Sequence, residues 1–269
     1  MNTVTAGSYL LQTSLSAPLF EKAWNDWFRA RQRVPELMDQ PTLAKDAHHE
    51  ALRGLSRTNC WGTTRRQIWK AIVRIARQRK LKALRVLDVA CGAGDLAVWL
   101  KRRSERAGLD LLIEGCDKSP TALDFARLQA ANAGLRSIRF FKCDVLSEQL
   151  TSTYDIVTCS LFLHHLDEFE AVSLLKKLAA VANHALLVDD LRRSASGYGL
   201  AWLGCAILTR SPVVHVDAPL SVRAAFRENE AQQLFVKAGL PGATLRRHWP
   251  QRFLITWEQP WTASKTAAA

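Results

Sequence analysis

Several things are missing from the sequence, and each absence removes a class of protein. None of its six cysteines (Cys60, Cys91, Cys116, Cys143, Cys159, Cys205) forms a Cys-x-x-Cys pair. No His/Cys group has zinc spacing either, so neither a redox motif nor a metal site is expected. Several of these cysteines lie in apolar runs, as small buried thiols of a reducing compartment do. The first twenty residues hold no Lys or Arg, and the apolar stretch Tyr9–Leu11 is too short for an export signal. The longest uncharged stretch of the second half, Ser194 to Thr209, contains serines and glycines and falls short of a membrane span. A cytoplasmic location follows as the expectation, with contact to a membrane surface left open. No internal repeat is visible. Disorder is excluded by composition, 48% hydrophobic and 23% charged. The 269 residues suit one larger α/β domain, or one domain plus a small cap.

Acidic residues are scarce in one region. Overall, 37 Lys and Arg against 25 Asp and Glu give a net charge of +12. Between Glu50 and Asp88 there is no acidic residue, yet Arg53, Arg57, Arg65, Arg66, Lys70, Arg74, Arg77, Arg79, Lys80, Lys82 and Arg85 all occur. Such a field attracts nucleic acid, acidic lipid, or an acidic carrier or substrate. The alternative is the solvated face of a helix.

The hydrophobic pattern supplies the architecture. Residues 1 to about 18 are polar and turn-rich. Leu19 to Arg33 reads as a helix, with Phe20, Trp24, Trp27 and Phe28 on one face, and Arg65 to Lys80 as another. Leu84–Val89 then reads as a buried strand that ends in the glycine turn Cys91-Gly92-Ala93-Gly94. A helix follows through Leu96, Trp99 and Leu100. Further strands are expected at Leu111–Cys116, Ile138–Phe141, Tyr154–Ser160 and Ala185–Asp189. Between them, Ser119-Pro120 starts a helix that Gly134 stops. Asp167 with Glu170 forms a capping box before the helix Ala171–Val181. Ala231, Leu234, Phe235 and Ala238 mark a last helix, closed by Gly239. Two strands, Thr244–His248 and Phe253–Trp257, are joined by a turn too short for anything but antiparallel pairing. Alternating strands and helices predict an α/β, doubly wound, mostly parallel sheet with one reversed strand near its edge. Residues 1–63 are assigned to a helical N-terminal lid, 64–262 to the main domain, and 263–269 to a frayed tail.

Ligands of such sheets bind at the carboxyl ends of the strands. Those ends carry Asp88, Asp95, Asp117 and Asp144. Gly92-Ala-Gly94-Asp-Leu-Ala97 fits a dinucleotide fingerprint, with Asp117 at the ribose position. The charges oppose it. A pyrophosphate needs bare N–H groups and a positive helix end. A carboxylate within about 4 Å of a phosphate costs on the order of 1 to 4 kcal/mol. S-adenosylmethionine (SAM) fits better, being a sulfonium with an ammonium, a ribose diol and an adenine, and no phosphate. Asp88 suits its cationic end, Asp117 both ribose hydroxyls, and Asp144 the adenine amine. Gly92 and Gly94 permit close approach of the backbone.

Here the sequence resembles a known family. Val86-Leu-Asp88-Val-Ala-Cys-Gly92-Ala-Gly94 is similar to the first motif of the Rossmann-like (class I) SAM-dependent methyltransferases. Glu114-Gly-Cys-Asp117, Lys142-Cys-Asp144-Val145 and Tyr154–Leu166 match its later motifs in order and spacing, and the resemblance runs from about Arg65 to Trp257. It implies a seven-stranded sheet of order 3-2-1-4-5-7-6 with strand 7 antiparallel. It implies cofactor contacts at Asp88, Ala90, Gly92, Gly94, Asp117, Lys118, Asp144, Val145 and Ser160. The fourth strand lacks the Asn/Asp-Pro-Pro-aromatic motif of amino-methylating nucleic-acid enzymes, and no cysteine follows proline as in cytosine C5 enzymes. Methylation of oxygen or carbon on a small molecule is therefore expected. The apolar insertion Gly197–Leu208 and the N-terminal aromatics suit a hydrophobic acceptor, similar to quinone or polyketide products of secondary metabolism. Near the fourth strand, His165 is the first candidate base and His164 the second. His215 and the pair His48-His49 are weaker ones. A homodimer is compatible with the apolar insertion. The competing reading is an RNA methyltransferase that holds nucleic acid with the basic stretch.

Overall fold

The structure is a computed structural model that describes residues 27–40 and 42–260. Seven strands form one sheet in the order β3-β2-β1-β4-β5-β7-β6. They are β1 (Ala83–Val89), β2 (Asp110–Asp117), β3 (Arg139–Lys142), β4 (Tyr154–Ser160), β5 (Ala182–Leu191), β6 (Thr244–His248) and β7 (Arg252–Glu258). β1 to β5 pair in parallel, while β7 runs antiparallel to both β5 and β6. The order is the one the family resemblance implies, and the reversed strand is the one expected from the short last turn.

Helices cover both faces: α1 (Lys45–Trp61), α2 (Thr64–Gln78), α3 (Asp95–Ala107), α4 (Pro120–Asn132), α5 (Glu168–Val181), α6 (Ala195–Leu208), α7 (Pro212–Ala224) and α8 (Glu228–Lys237). Alternate residues of each strand feed opposite cores, as a period of two requires. Leu84 and Val86 of β1 pack with Ile68, Ile72, Leu100 and Leu123 of α2, α3 and α4. Leu87 and Val89 pack with Leu174, Leu178, Leu234 and Phe235 of α5 and α8. The caps behave as their residues dictate. Ser119 accepts from the Ala122 N–H ahead of Pro120, and both bonds of the Asp167/Glu170 capping box are formed.

Departures from the sequence reading lie near the N-terminus and in the connection after β5. Of the expected helix Leu19–Arg33, the part before Trp27, with Phe20 and Trp24, lies outside the described residues. Arg31 to Glu36 is not helical. Pro35 disfavours helix at the residue before it, and tertiary bonds take over the segment. The Gln32 N–H donates to Arg223 O, and the Arg31 and Arg33 side chains donate to the carbonyls of His164 and His165 at 2.7 and 3.1 Å. Helices α1 and α7 were not visible in the pattern. The apolar side of α1 is interrupted by Gly54, whose Cα sits against Thr209 and Val214. α7 carries the buried Asp217, Pro219 and Ser221 inside it. The tail 263–269 lies outside the described residues.

One turn residue is demanding. Gly94 caps α3 with φ +71°, and a Cβ there would lie 2.8 Å from the Ala126 methyl and 2.9 Å from Phe140 Cζ. Gly94→Ala combines positive-φ strain with overpacking, about 1 to 3 kcal/mol each. A fall in Tm of several degrees is expected in thermal unfolding. An unchanged Tm would show that the turn relaxes freely.

Candidate active site

A cavity of about 940 Å³ opens at the carboxyl ends of β1, β2 and β4 and extends under α1 and α6. Asp88, Ala90, Gly92, Asp117, Lys118, Asp144, Val145, Ser160, His164 and His165 all line it. Gly94 does not. Its hydrogen faces Ala126 and Phe140, so it serves the packing of α3 on the sheet.

At one end of the cavity the groups are acidic. Asp88 is buried at the end of β1 and accepts from Thr158 Oγ1 at 2.9 Å. Burial pushes its pKa up to about 7 against the pull of the Thr158 bond, and the charges of Asp95 and Asp117 add to the rise. Gly92 has φ +49° and open space where a Cβ would stand. Its N–H donates to Asp117 Oδ2 at 2.8 Å, and the Ser119 N–H donates to Oδ1 at 2.9 Å. The Asp117 carboxylate is thus aimed by two backbone groups, with lone pairs to spare for a diol. Asp144 is held similarly by the Leu146 N–H at 3.1 Å. Lys118 reaches across to Asp39 at 3.5 Å. Arg65 and Arg252 line the cavity too, and both act electrostatically on Asp95. This donor set suits a cation bearing a sugar and a carboxylate, and it opposes a diphosphate.

The other end is different in chemistry. Leu55 of α1, Leu200 and Leu208 of α6 and Val222 of α7 form apolar walls. At the head of these walls stands the turn after β4. His164 is buried. Asp190 accepts from its backbone N–H at 3.0 Å and sits 2.6 Å from its Nδ1. Burial lowers the pKa of this imidazole, but Asp190 and Glu36 outweigh burial and push it up to about 10. The two carboxylates thus favour the protonated ring, which speaks against His164 as the proton acceptor. The His165 ring is more open and lies between Asp39 Oδ2, 3.5 Å from Nδ1, and Glu36 Oε2, 3.9 Å from Nε2. Of the weaker candidates, His48 lines the cavity and His49 packs on Phe125. The His215 ring binds the carbonyls of Cys205 and Thr209 at the end of α6.

Sequence reasoning missed Glu36, Asp39 and Asp190. The β5 period could have found the last of these. Asp189 points toward α2, where Thr64 donates to it at 2.8 Å, so its neighbour Asp190 must point to the opposite face and the His164 turn. Part of the basic stretch is used internally. Arg74 pairs with Glu258 at 2.7 Å, Arg79 donates to Gln259 O at 2.7 Å, and Arg85 lies 3.5 Å from Glu114. Among the described residues, no helix is long and apolar enough to cross a membrane.

Comparison with known proteins agrees with this geometry. A family profile described as a methyltransferase domain matches residues 86–184. An uncharacterized methyltransferase of Mycobacterium tuberculosis is 29% identical over 181 residues, 65% of this chain and 87% of the relative. A ubiquinone biosynthesis O-methyltransferase of Acinetobacter baylyi is 30% identical over 133 residues, 48% of this chain and 53% of the relative. In fold, the magnesium protoporphyrin IX methyltransferase of Synechocystis with bound SAH superposes with a TM-score of 0.51 at 17% identity, covering 90% of this chain and 97% of that one. Residues 86–184 thus carry a methyltransferase domain, and the sheet order around it is the one implied by the resemblance to the Rossmann-like SAM-dependent methyltransferases.

Proposed function

We propose that the enzyme methylates a hydroxyl oxygen of a small, largely apolar acceptor, of the phenolic or enolic kind found in quinones and polyketides. One observation carries this reading. An apolar-walled chamber faces the acidic cofactor end, and its head is a group of imidazoles and carboxylates: Glu36, His164 and His165. The resemblance to an O-methyltransferase of ubiquinone biosynthesis supports the choice of oxygen.

SAM supplies an electrophilic methyl group on its sulfonium. Asp117 would hold the ribose diol, Asp88 the cationic end and Asp144 the adenine amine. Gly92, Ala90, Val145, Ser160 and Lys118 would complete the walls. Arg65 and Arg252 suit the carboxylate. An acceptor hydroxyl needs help to ionise. His165 is placed to draw off its proton, and its two carboxylate neighbours stabilise the imidazolium that results. Asp190 fixes the orientation of the His164 ring beside Glu36. The segment 1–63 would act as the lid, since its described part from Arg33 to Trp61 forms one side of the chamber.

The test is incubation with methyl-labelled SAM and a panel of phenols, hydroxyquinones and alkylresorcinols, read by mass spectrometry. Label on oxygen is the expected outcome. Label only on carbon, on nitrogen or in RNA would overturn the reading. His165→Ala is expected to lower kcat by about 10²- to 10⁴-fold, the usual share of a proton-transfer group. Its affinity for SAM should stay that of the wild type, checked by calorimetry.

A further inference from the structure

We propose that Glu36, His164 and His165 bind a divalent metal ion at the head of the acceptor chamber, with one coordination position left open to the chamber. The inference deepens the O-methylation reading by naming what the acceptor oxygen would meet. The metal-binding part does not depend on that reading.

The geometry is that of ligands around a shared point. One atom from each of the three residues lies within 4.8 Å of the others. His164 Nε2 is 3.7 Å from Glu36 Oε1, and His165 Nε2 is 3.9 Å from Glu36 Oε2. Both separations are too long for hydrogen bonds. Two ligand atoms each about 2.1 Å from one tetrahedral ion lie roughly 3.4 Å apart, so a small closure of the group around an ion would satisfy all three.

Each candidate ligand is also aimed by a second group. The Nδ1 of a ligating histidine normally faces a carboxylate or carbonyl that orients the ring and raises its basicity. Here His164 Nδ1 has Asp190 Oδ1 at 2.6 Å, and His165 Nδ1 has Asp39 Oδ2 at 3.5 Å. Glu36 is positioned twice. Ser221 Oγ donates to its Oε1, and Asp217 accepts from the N–H groups of the next two residues, Leu37 and Met38, at 2.8 and 3.0 Å. Two rings thus present their free nitrogens to one carboxylate while their other nitrogens are taken by carboxylates.

The charge balance favours a cation. Glu36, Asp39 and Asp190 surround the two imidazoles, while Lys118, 3.5 Å from Asp39, and Arg31, which acts on Asp190, offset part of their charge; with both rings neutral, as ligands are, one negative charge remains in excess. Two histidines and a carboxylate suit zinc or another borderline divalent ion. Three protein ligands with one open position is the pattern of catalytic rather than structural metal sites. An acceptor oxygen bound there would lose its proton to solvent as it ligates, and His165 would then serve as ligand rather than proton acceptor. No sequence spacing shows this site, because Glu36 comes from the N-terminal segment and the histidines from the turn after β4.

The test is calorimetric titration of chelator-treated full-length protein with zinc chloride, repeated with Co²⁺ to read ligand-field absorption in the visible. The wild type should bind one ion per chain with a Kd at or below the micromolar range. Glu36→Gln and His165→Ala should each weaken binding by at least 100-fold. Cys60, an exposed thiol, is covered by Cys60→Ser, which should bind like the wild type. Thermal stabilisation by SAM, equal in all variants, checks that each is folded. Failure of the wild type to bind either ion below about 100 μM would overturn the proposal, as would equal binding by Glu36→Gln. No acceptor enters the assay, so an enzyme that binds the ion but methylates no hydroxyl would fail the O-methylation reading alone.

Discussion

Asp117→Ala is expected to weaken SAM binding by about 10²- to 10⁴-fold. Two hydrogen bonds from a ribose diol to one carboxylate are charge-assisted, worth roughly 1.5 to 3 kcal/mol each, and each 1.4 kcal/mol is about a factor of ten. The free carboxylate is already aimed by the N–H groups of Gly92 and Ser119. Little ordering is therefore left to oppose binding. The alanine variant also leaves those two N–H groups without their acceptor, and the glycine turn loses its tether to β2. Asp117→Asn separates the two effects. Its amide oxygen can still accept one bond from the turn, but its charge is gone, so an intermediate loss is expected. Calorimetry with SAM measures the affinity, and thermal unfolding without ligand measures the tether. A change in affinity of less than threefold for Asp117→Ala would sink the ribose assignment.

Most of what positions this site could be read in the sequence, because it rests on local signals. Buried strands announce themselves as runs such as Leu84–Val89, and capping chemistry marks the starts at Ser119 and Asp167. The short turn between β6 and β7 could only reverse the chain. Strand ends then put Asp88, Asp117 and Asp144 at one mouth, since parallel neighbours share their carboxyl ends. What escaped notice depends on tertiary contact. Arg31 to Arg33 reads as the end of a helix, yet its backbone and arginines are taken by α7 and the histidine turn. Glu36 and Asp39 gain their meaning only once that segment is laid beside His164 and His165. The preference for His165 over His164 had no basis in spacing. The distinction comes from Asp190, which engages one ring and not the other. The packing duty of Gly94 was also hidden: a glycine needed for packing and one needed for a ligand leave the same letter in the sequence.

Cofactor affinity should also depend on pH in a way that identifies Asp88. Its pKa in the free protein is pushed up to about 7, chiefly by burial. A carboxylate that must be ionised to meet a cation is then mostly protonated below pH 7. SAM affinity is expected to fall by about tenfold for each pH unit below 7 and to level off above it, reaching roughly a hundredfold loss at pH 5. Binding near pH 6 should release a proton, seen as a dependence of the calorimetric heat on the buffer. Stability of the ligand-free protein moves the other way. The folded pKa lies above the unfolded value of about 3.9. The folded state therefore holds the extra proton in the window between them, and the stabilisation present below about pH 4 is lost as pH rises through 7. Asp88→Asn keeps an acceptor for Thr158 Oγ1 and removes the charge. It should flatten the pH dependence of SAM binding at the weak limit while raising the ligand-free Tm at pH 8. A variant that bound SAM as tightly as wild type at pH 8, with its pH profile intact, would show that another group titrates and that Asp88 does not face the cation.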